Sequence, residues 1–500
     1  MMTGDKAGCG GRVRPLPPWE VPRIAAPTVL TASIPGFMDW DFKDAETIRY
    51  GLAGISNSAS RSELLLREVI RPGPNDLARP PSGGSITVKP RFVHGVYARA
   101  VELGLPVVVS LHTHSCGAFF SGTDQTSTRR HAAVARDFGL HYAQVVVAKS
   151  GVAASFLRDG SERPIDLVKV IKPRGIELLW TVNGTCERGE QVDRTVHDRS
   201  LQIGGGIEEA LRLFGTLRVG FVGAGGVGAA AISTLKFLNV KRFVIVDPDA
   251  LEVSNANRYI GYRAGDIGTP KVEVQKRELL AYDPTCDIEL VREQFPSPAS
   301  VEALKACDVI VSTPDNHWCR AQVAEFAARY LKPVFDAGAG VYVNEAGEPY
   351  RISSTTHIQL PPPLGPCLKC QGVRADHPPH VEAAVEAARK SYIKGYRHSG
   401  PTPASVATLV THAGNQLARH MLYYLSGVGG SEARVPLHFV NEEITLKAED
   451  LSGLWSRQSE CPVCGEQAQW GFGDAATRLL ESPVKAALET ETHEEAVCTG

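Results

Sequence analysis

Two histidines and an aspartate follow an apolar strand pattern in the first half of the chain. Residues 107–124 read VVVSLHTHSCGAFFSGTD, so one residue separates His112 from His114. The period of two in a strand puts both imidazoles on one face, and a turn can return the carboxylate of Asp124 to the same point. Two nitrogen ligands and one oxygen ligand leave a tetrahedral zinc ion with one open position for water, as hydrolysis requires. Ser121 is placed to donate to a developing oxyanion, and the general base has to come from elsewhere.

A glycine-rich turn follows another apolar strand pattern in the second half of the chain. Residues 217–228 read LRVGFVGAGGVG, and their turn contains Gly223, Gly225, Gly226 and Gly228. Glycine lets the backbone approach a phosphate closely, and a helix predicted over 229–238 directs its positive N-terminus at the anion. The next predicted strand, over 243–246, ends in Asp247, where a carboxylate can bind ribose hydroxyls. The pattern predicts a nucleotide site.

The polar residues after this strand favour triphosphate chemistry over hydride transfer. The runs DPDALEVSNANRY and DIGTPKV supply Asn255, Arg258 and Lys271, which are groups suited to phosphate binding rather than to a nicotinamide pocket. A later strand predicted over 308–312 leads to Asp315 at its carboxyl end, where a magnesium ion on the triphosphate can bind. These residues suit attack of a carboxylate on an α-phosphate with pyrophosphate as the leaving group.

Four cysteines form two C-x-x-C pairs about ninety residues apart, Cys367 with Cys370 and Cys461 with Cys464. Two such pairs make a closed tetrahedral zinc site, in which sulfur fills every coordination position and the metal serves stability. A redox role is the weaker alternative, because neither pair lies in a thioredoxin-like context.

These residues lie in two segments of the chain whose patterns of apolar and turn-forming residues differ. Residues 41–175 alternate short apolar runs with Pro/Gly turns and contain one helical stretch over 91–103, which predicts an α+β domain. From residue 199 the order becomes strand, glycine turn, helix, strand, which is typical of a doubly wound α/β domain with a parallel sheet.

Composition excludes several classes of protein. In 500 residues, 53 Lys and Arg nearly balance 55 Asp and Glu, which disfavours dedicated nucleic-acid binding. No apolar stretch approaches the roughly 18 residues of a membrane span, and no apolar signal-peptide region begins the chain. The 11 cysteines are an odd number, and the paired spacing favours metal ligation in a reducing compartment. We therefore expect a cytoplasmic protein with no membrane or nucleic-acid partner.

The histidine segment resembles the signature of JAMM (MPN/JAB) metalloproteases, in which a serine and an aspartate three residues beyond it follow two spaced histidines. By this resemblance His112, His114 and Asp124 bind a catalytic zinc ion and Ser121 assists catalysis. Two departures stand out: Ser115 replaces a frequent proline, and the interval before Ser121 is about one residue short. A shorter loop is able to move Asp124 off the metal.

The resemblance also implies a catalytic glutamate upstream, near the first strand of the domain. Glu46 fits best because a Gly-flanked apolar run follows it, and Glu63 and Glu68 are the competitors. The implied chemistry is cleavage of a peptide or isopeptide bond after the C-terminal glycine of a ubiquitin-like protein.

The segment from residue 199 resembles the superfamily of ThiF, MoeB and ubiquitin-activating enzymes over about 270 residues. The resemblance implies roles in ATP and Mg²⁺ binding for the nucleotide-loop glycines Gly223, Gly225, Gly226 and Gly228, the ribose ligand Asp247, the nucleotide contact Asn255, the phosphate ligands Arg258 and Lys271, and the Mg²⁺ ligand Asp315. Upstream, the run RTVHDRSLQI resembles a motif whose arginine reaches the ATP of a partner subunit, and Arg199 fits it. A homodimer is therefore implied. Tyr259 is a departure, because the family usually has glutamine there.

Members of this superfamily that pass the activated protein onward usually keep a nucleophilic cysteine after the first C-x-x-C pair. Residues 371–410 contain none, so thioester formation at that position is disfavoured. Cys186 and Cys498 are the exposed candidates if a thiol is needed.

These observations predict a tail over 1–30, a JAMM-like domain over 31–178, a connector over 179–198, a ThiF-like adenylation domain over 199–475 and a tail over 476–500. The hypothesis is a bifunctional enzyme. It adenylates the C-terminal glycine of a ubiquitin-like or sulfur-carrier protein and processes or deconjugates that protein with zinc, and a conjugating enzyme is a possible further partner. The alternative is an adenylyltransferase for a thiamine or molybdopterin sulfur carrier, in which the JAMM-like module binds without catalysis.

Overall fold

Two β-sheets form the framework of the protein. The computed structural model describes residues 28–35, 46–79, 86–158, 161–184, 192–343, 348–373, 405–426 and 435–476. Among these residues, no helix combines the length and apolar character that crossing a bilayer requires. Residues 1–27 and 477–500, which make up most of the two predicted tails, lie outside the described residues, as do the thiols of Cys9, Cys186 and Cys498 and most of the span 371–410.

The N-terminal domain is built on a mixed sheet of nine strands in the order β7-β6-β5-β4-β2-β3-β1-β8-β9. The strands are β1 Thr28–Ala32, β2 Ile48–Asn57, β3 Ser62–Ile70, β4 Val107–Thr113, β5 His141–Ala148, β6 Gly151–Arg158, β7 Ser161–Pro164, β8 Leu167–Ile171 and β9 Ile176–Trp180. Strand β4 runs antiparallel to β2 and parallel to β5. This arrangement agrees with the α+β expectation.

Two helices flank β4 in the chain, α1 Pro90–Leu103 and α2 Gly122–Asp137. The predicted helix over 91–103 is therefore present. Proline at the first position starts α1, and Gly104, with a φ of 72° that favours glycine, ends it. Both helices contribute to an apolar cluster with the sheet, because Tyr97 and Ala135 pack there with Tyr50.

The C-terminal domain contains an eight-stranded sheet in the order β12-β11-β10-β13-β14-β15-β16-β17. The strands are β10 Arg218–Val222, β11 Arg242–Val246, β12 Asp287–Val291, β13 Val309–Ser312, β14 Val334–Val343, β15 Pro349–Gln359, β16 His438–Glu442 and β17 Lys447–Asp450. The first five strands in the sheet order are parallel, as a doubly wound domain requires, and the remaining three are antiparallel.

Helices cover this second sheet. They are α3 Asp198–Leu201, α4 Ile207–Thr216, α5 Gly226–Phe237, α6 Lys271–Tyr282, α7 Pro298–Lys305, α8 His317–Arg329 and α9 Ala407–Ser426. Short 3₁₀ turns occur at Pro74–Asp76, Val253–Asn255 and Ser452–Leu454. Helix α9 packs closely on α5 because Gly414 lies where a Cβ atom would come within 2.6 Å of the Ala230 Cβ.

The element boundaries differ from the predicted domain limits at two places. Strand β1 begins at Thr28, inside the predicted tail, and its buried residues pair with β3 and β8. Strand β9 continues to Trp180, inside the predicted connector. Strand β1 lies between β3 and β8, which are distant from it in sequence, and a local pattern does not contain that pairing. Strand β9 forms a hairpin with β8 at the edge of the sheet.

Candidate active sites

The side chains of His112, His114 and Asp124 meet at one end of β4. The two Nε2 atoms are 3.2 Å apart, and they lie 3.0 Å and 3.3 Å from the Asp124 carboxylate oxygens. Ligands about 2.0–2.1 Å from a tetrahedral zinc ion are roughly 3.3 Å from one another, and the distance between the nitrogens and the distance from each nitrogen to its nearer carboxylate oxygen are close to this value. The donor set therefore fits zinc, with the fourth corner left for water.

Helix capping explains why Asp124 reaches the imidazoles although the preceding loop is short. Ser121 is the N-cap of α2, and Asp124 is the third residue of its first turn. The Ser121 backbone N–H and hydroxyl both donate to Asp124 Oδ2 at 2.7 Å, and the Asp124 N–H donates back to Ser121 Oγ at 3.2 Å. The hydroxyl proton of Ser121 thus points at the carboxylate, and in this state the serine orients a candidate ligand.

Hydrogen bonding also sets the charge of Asp124. Burial alone raises the pKa of this carboxyl group, but hydrogen bonds from His112 and Ser121 lower it to about 2. The group is therefore an anion at neutral pH, the form in which a carboxylate binds a metal ion.

Glu46 lies beside this ligand set. Ile48 pairs with His112 in the antiparallel ladder, and the Thr113 N–H donates to the Thr47 carbonyl at 3.0 Å, so the same register places Glu46 opposite His114. Residues opposite one another in antiparallel strands share a face of the sheet. Burial raises the pKa of Glu46, and the nearby His114 and His112 oppose this effect. A raised pKa suits a general base.

The two competing glutamates are engaged elsewhere. Glu63 is buried and forms ion pairs with Lys169 and Lys332, while Glu68 forms an ion pair with Arg99 at 3.5 Å. Of the three candidates, Glu46 is the one placed beside the histidines.

The loop between His114 and Ser121 contains an aromatic residue that the spacing argument did not single out. Phe119 is 49% exposed, and its ring lies 5.5 Å from the His114 ring in an edge-on arrangement. The Ala118 N–H donates to Ser150 Oγ at 3.2 Å, which ties the loop to the β5–β6 turn. Phe119 therefore covers one side of the ligand set. The sequence signal that could have identified Phe119 is its position as an apolar residue in a loop between polar candidate ligands. Cys116, in the same loop, is exposed.

The glycine loop lies between β10 and α5. Gly223 has a φ of 96°, in the left-handed region, and a Cβ atom there would come within 2.7 Å of the Thr313 carbonyl oxygen. At Gly228 a Cβ atom would lie 2.3 Å from the Gly223 carbonyl oxygen. At Gly225, the N-cap of α5, nothing lies within 4 Å of the position that a Cβ atom would occupy. Two glycines are thus required by packing, whereas Gly225 leaves space for a ligand beside a helix N-terminus. Gly226 packs on Val410.

Asp247 connects the end of β11 to the glycine loop. Its carboxylate oxygens accept hydrogen bonds from the Ala224 N–H at 2.6 Å and the Asp249 N–H at 2.9 Å. Burial raises the pKa of Asp247, although Lys271 and these backbone donors oppose the rise. The predicted ribose ligand is therefore adjacent to the nucleotide loop.

Lys271 begins α6, where its Nζ forms an ion pair with Asp249 Oδ2 at 2.6 Å. Tyr259, the departure from the family pattern, is buried, and its hydroxyl donates to the Lys271 carbonyl at 3.1 Å. Tyr259 thus helps to position the lysine backbone. The tyrosine packs with Ala229 and Val274 between α5 and α6.

Arg258 and Asn255 lie in the loop after β11. The Arg258 guanidinium donates to the Ser254 carbonyl at 2.5 Å, and the Arg258 carbonyl faces Gly226. Asn255 caps the preceding 3₁₀ turn by accepting a hydrogen bond from the Glu252 N–H at 3.1 Å. The loop therefore passes beside the glycine turn, with its polar groups satisfied internally.

Asp315 is exposed just beyond the carboxyl end of β13 and accepts a hydrogen bond from Asn316 at 3.0 Å. Thr313, which the sequence did not single out, donates its hydroxyl to the Gly223 carbonyl at 2.8 Å and so joins this segment to the glycine loop. A cavity of about 220 Å³ opens beside Asp315 and is also lined by Arg320, Asp336 and His357.

Arg199 is apart from these groups. It is exposed on α3, which packs against α4. In the part of the chain that the structure describes, Arg199 makes no hydrogen bond or ion pair with the glycine loop or Asp315. Its role toward a partner subunit remains a prediction.

The four cysteines of the C-x-x-C pairs are buried together. Their Sγ atoms lie within 4.8 Å of one another, with Cys367 and Cys461 at 3.6 Å and Cys370 and Cys464 at 3.6 Å. Tetrahedral zinc with Zn–S bonds near 2.3 Å separates its sulfur ligands by roughly 3.8 Å, so this donor set fits a structural zinc ion.

Comparison with known proteins identifies the second domain. The family described as the ThiF family matches residues 197–463. The chain belongs to the ThiF family. A sulfur carrier protein adenylyltransferase of Thermus thermophilus is 29% identical over 247 residues, which cover 49% of this chain and 81% of that protein. The SAMP-activating enzyme E1 of Haloferax volcanii is 28% identical over 251 residues, covering 50% of this chain and 80% of that enzyme.

A solved structure of E. coli MccB with ATP is 18% identical to this ThiF-family chain, with a TM-score of 0.43, and the match covers 54% of this chain and 75% of MccB. The family match begins at residue 197, so the N-terminal domain lies outside it.

Proposed function

We propose that the C-terminal domain adenylates the C-terminal glycine of a ubiquitin-like or sulfur-carrier protein, using ATP and Mg²⁺. The observation that carries this proposal is that the glycine loop contacts Asp247 and Thr313 at the carboxyl edge of the parallel strands, where Asp315 follows two residues later and Lys271 pairs with the nearby Asp249. The names of the two relatives describe activation of such proteins and support the same substrate class.

In this reaction a carboxylate oxygen of the substrate attacks the α-phosphorus of ATP. The bond between the α-phosphorus and its bridging oxygen breaks, and pyrophosphate leaves with the electron pair. Lys271 and Arg258 offset the charge that develops on the phosphate oxygens, and the glycine loop holds the phosphates against the N-terminus of α5. Asp315 would hold Mg²⁺, which supplies further positive charge to the triphosphate.

We propose that the N-terminal domain is a zinc-dependent peptidase or isopeptidase of the JAMM type that processes or deconjugates the same protein. His112, His114 and Asp124 would hold zinc, which supplies a water molecule of lowered pKa when it is bound. Glu46 would act as the general base, accepting a proton at its carboxylate and passing it to the leaving nitrogen. The four cysteines would hold a second, structural zinc ion.

Three further expectations complete the proposal: a homodimer in which Arg199 reaches the partner's nucleotide, a conjugating enzyme that accepts the activated protein, and a cytoplasmic location.

The experiment that tests the adenylation proposal uses tagged protein, ATP and Mg²⁺ in a lysate of the source organism, followed by intact-mass measurement of the small proteins retained. We expect ATP-dependent retention of a protein of about ubiquitin size that ends in glycine. With that protein as substrate, Asp315→Ala abolishes ATP–pyrophosphate exchange, whereas the exposed Asp137→Ala at the end of α2 does not. Unchanged exchange in Asp315→Ala contradicts the assignment of Asp315.

A second candidate function is adenylation of a thiamine or molybdopterin sulfur carrier, with an N-terminal domain that binds but does not cleave. The absence of cysteine from residues 371–410 favours it, because sulfur-carrier activation needs no conjugating thioester. Zinc content separates the candidates. The peptidase proposal expects about two zinc ions per chain in the unmodified protein and about one in His112→Ala. If the unmodified protein contains only about one zinc ion per chain, the N-terminal site has no catalytic metal.

A further inference from the structure

Five charged residues from both domains form a buried cluster, which we name the interdomain charge cluster. Its members are Arg61, Glu63 and Lys169 of the N-terminal domain and Asp308 and Lys332 of the C-terminal domain. Asp308 accepts from Arg61 Nη1 at 2.5 Å and from Lys169 Nζ at 3.1 Å. Glu63 accepts from Lys332 Nζ at 2.6 Å and from Lys169 Nζ at 2.9 Å. Four of these side chains are at most 4% exposed.

The cluster lies at one defined edge of the second sheet. Asp308 precedes β13 and also accepts a hydrogen bond from the Arg218 N–H at the start of β10, while Lys332 precedes β14. The N-terminal domain therefore contacts the amino edge of the parallel strands. The glycine loop and Asp315 follow the opposite, carboxyl edge.

A second set of contacts lies at the same edge. The segment 470–474, which follows the second cysteine pair, passes between the domains. Its Gly473 N–H donates to the Arg329 carbonyl at the end of α8, and its Asp474 N–H donates to the Ile55 carbonyl in β2. The Asp474 carboxylate accepts from the Asn57 N–H at 2.8 Å and from the Tyr330 hydroxyl at 2.9 Å.

Backbone packing makes this segment close-fitting. A Cβ atom at Gly54 would lie 2.3 Å from the Gly471 carbonyl oxygen, and one at Gly473 would lie 2.2 Å from the Ile55 carbonyl oxygen. The Arg67 guanidinium lies 3.3 Å above the centre of the Trp470 ring. Buried charge pairs and main-chain hydrogen bonds are directional, so together they specify one orientation of the two domains.

The candidate metal ligands lie at the far end of β2 from these contacts. Asn57 and Ile55 meet Asp474, whereas Ile48 pairs with His112. At about 3.3 Å per residue, Ile48 and Asn57 are separated by roughly 30 Å. The five residues of β10 place the glycine loop about 16 Å beyond the amino edge of the second sheet.

We infer that the two domains form one fixed frame that holds the candidate metal set and the nucleotide loop on opposite sides of the interdomain contact. This inference deepens the proposed function and rests on it. Hydrolysis at the N-terminal site adds water across a peptide or isopeptide bond and releases a glycine carboxylate and an amine. Because the sites share no cleft, the released protein has to dissociate and bind again before its carboxylate attacks ATP. Each site thus acts on freely diffusing substrate.

Distance measurement between two nitroxide labels tests this geometry without any substrate. The labels are attached at Gln125→Cys, exposed beside Asp124, and at Val253→Cys, 77% exposed in the turn after β11. The background replaces with serine the cysteines that are not buried in the described residues or lie outside them, namely Cys9, Cys116, Cys186, Cys286 and Cys498. In a mixture with excess unlabelled protein, which leaves one labelled chain in each expected homodimer, we expect one narrow distance distribution centred beyond about 35 Å, with or without ATP and Mg²⁺. A main population below about 25 Å, or a broad distribution, overturns the inference.

A variant of the cluster tests whether these charges fix the frame. Asp308→Asn keeps the side-chain shape but removes the partner of Arg61 and Lys169, and we expect it to widen the distance distribution at least about twofold. An unchanged width overturns the role of the cluster. If Asp308→Asn does not fold, Tyr330→Phe removes one hydrogen bond to Asp474 and is expected to widen the distribution less. Because neither measurement depends on catalysis, their outcome is separate from that of the proposed activities.

Discussion

The two candidate active sites are assembled in different ways. At the N-terminal site, side chains converge directly: the two imidazole nitrogens are 3.2 Å apart, each lies 3.0–3.3 Å from one oxygen of the Asp124 carboxylate, and one serine fixes that carboxylate. At the nucleotide site, the decisive groups are backbone atoms of a glycine loop, and the charged side chains are paired with one another, as Lys271 is with Asp249. These arrangements suit the ligands proposed for the two sites, a compact ion at the first and an extended polyanion at the second.

The largest expected effect concerns the side-chain site. Glu46→Gln removes the candidate base while leaving the three ligands in place, so hydrolysis of a reporter fused after the glycine of the captured protein should fall roughly 10²–10⁴-fold. Zinc content should not change. Glu68→Gln, on the same domain but paired with Arg99, is the control and should retain activity. Equal loss in both variants contradicts the assignment of Glu46.

Two glycines of the glycine loop have different expected roles, one in packing and one in ligand approach. Gly228→Ala forces a Cβ atom to within 2.3 Å of a backbone oxygen, and we expect it to destabilise the protein by about 3 kcal/mol, measured by denaturant unfolding. Gly225→Ala has space for its Cβ atom, so the stability should change little while the KM for ATP rises. If both variants lose the same stability, the distinction between the two glycines is wrong.

Acid should weaken the frame that connects the two sites. Burial by itself raises the pKa of Glu63, but Lys169 and Lys332 lower it to about 2, below the value of about 4.5 expected for an unfolded chain. The stabilisation is therefore complete above pH 4.5 and is lost as the pH falls toward 2. Its size is roughly 3 kcal/mol. Urea unfolding between pH 7 and pH 2 measures it, and Glu63→Gln should flatten the dependence.

The smallest effect concerns the exposed ion pair at the nucleotide site. Asp249 is 59% exposed, so Asp249→Ala should change stability by no more than about 1 kcal/mol. ATP–pyrophosphate exchange should persist, because Lys271 stays free to meet phosphate. Lys271→Ala, in contrast, should reduce exchange. Loss of exchange in Asp249→Ala would show that the aspartate itself contributes to nucleotide binding.

Most of the candidate site residues could be predicted from short-range spacing in the sequence. The period of a strand put His112 and His114 on one face, and helix capping chemistry brought Asp124 to them across three residues from Ser121. The glycine loop, Asp247 and Asp315 follow strands whose parallel order places all of their carboxyl ends at one edge. These relations are local or follow from fold class, so a sequence contains them.

The tertiary structure alone decided how the domains meet, and it supplied the placement of the glutamates. The resemblance favoured Glu46 over Glu63 and Glu68, and the β2–β4 register places Glu46 opposite His114. In the interdomain charge cluster, Glu63 and Lys332 are 269 positions apart, and no local pattern links them. A buried charge requires a partner in space rather than in sequence, and only the packing of the two sheets selects that partner.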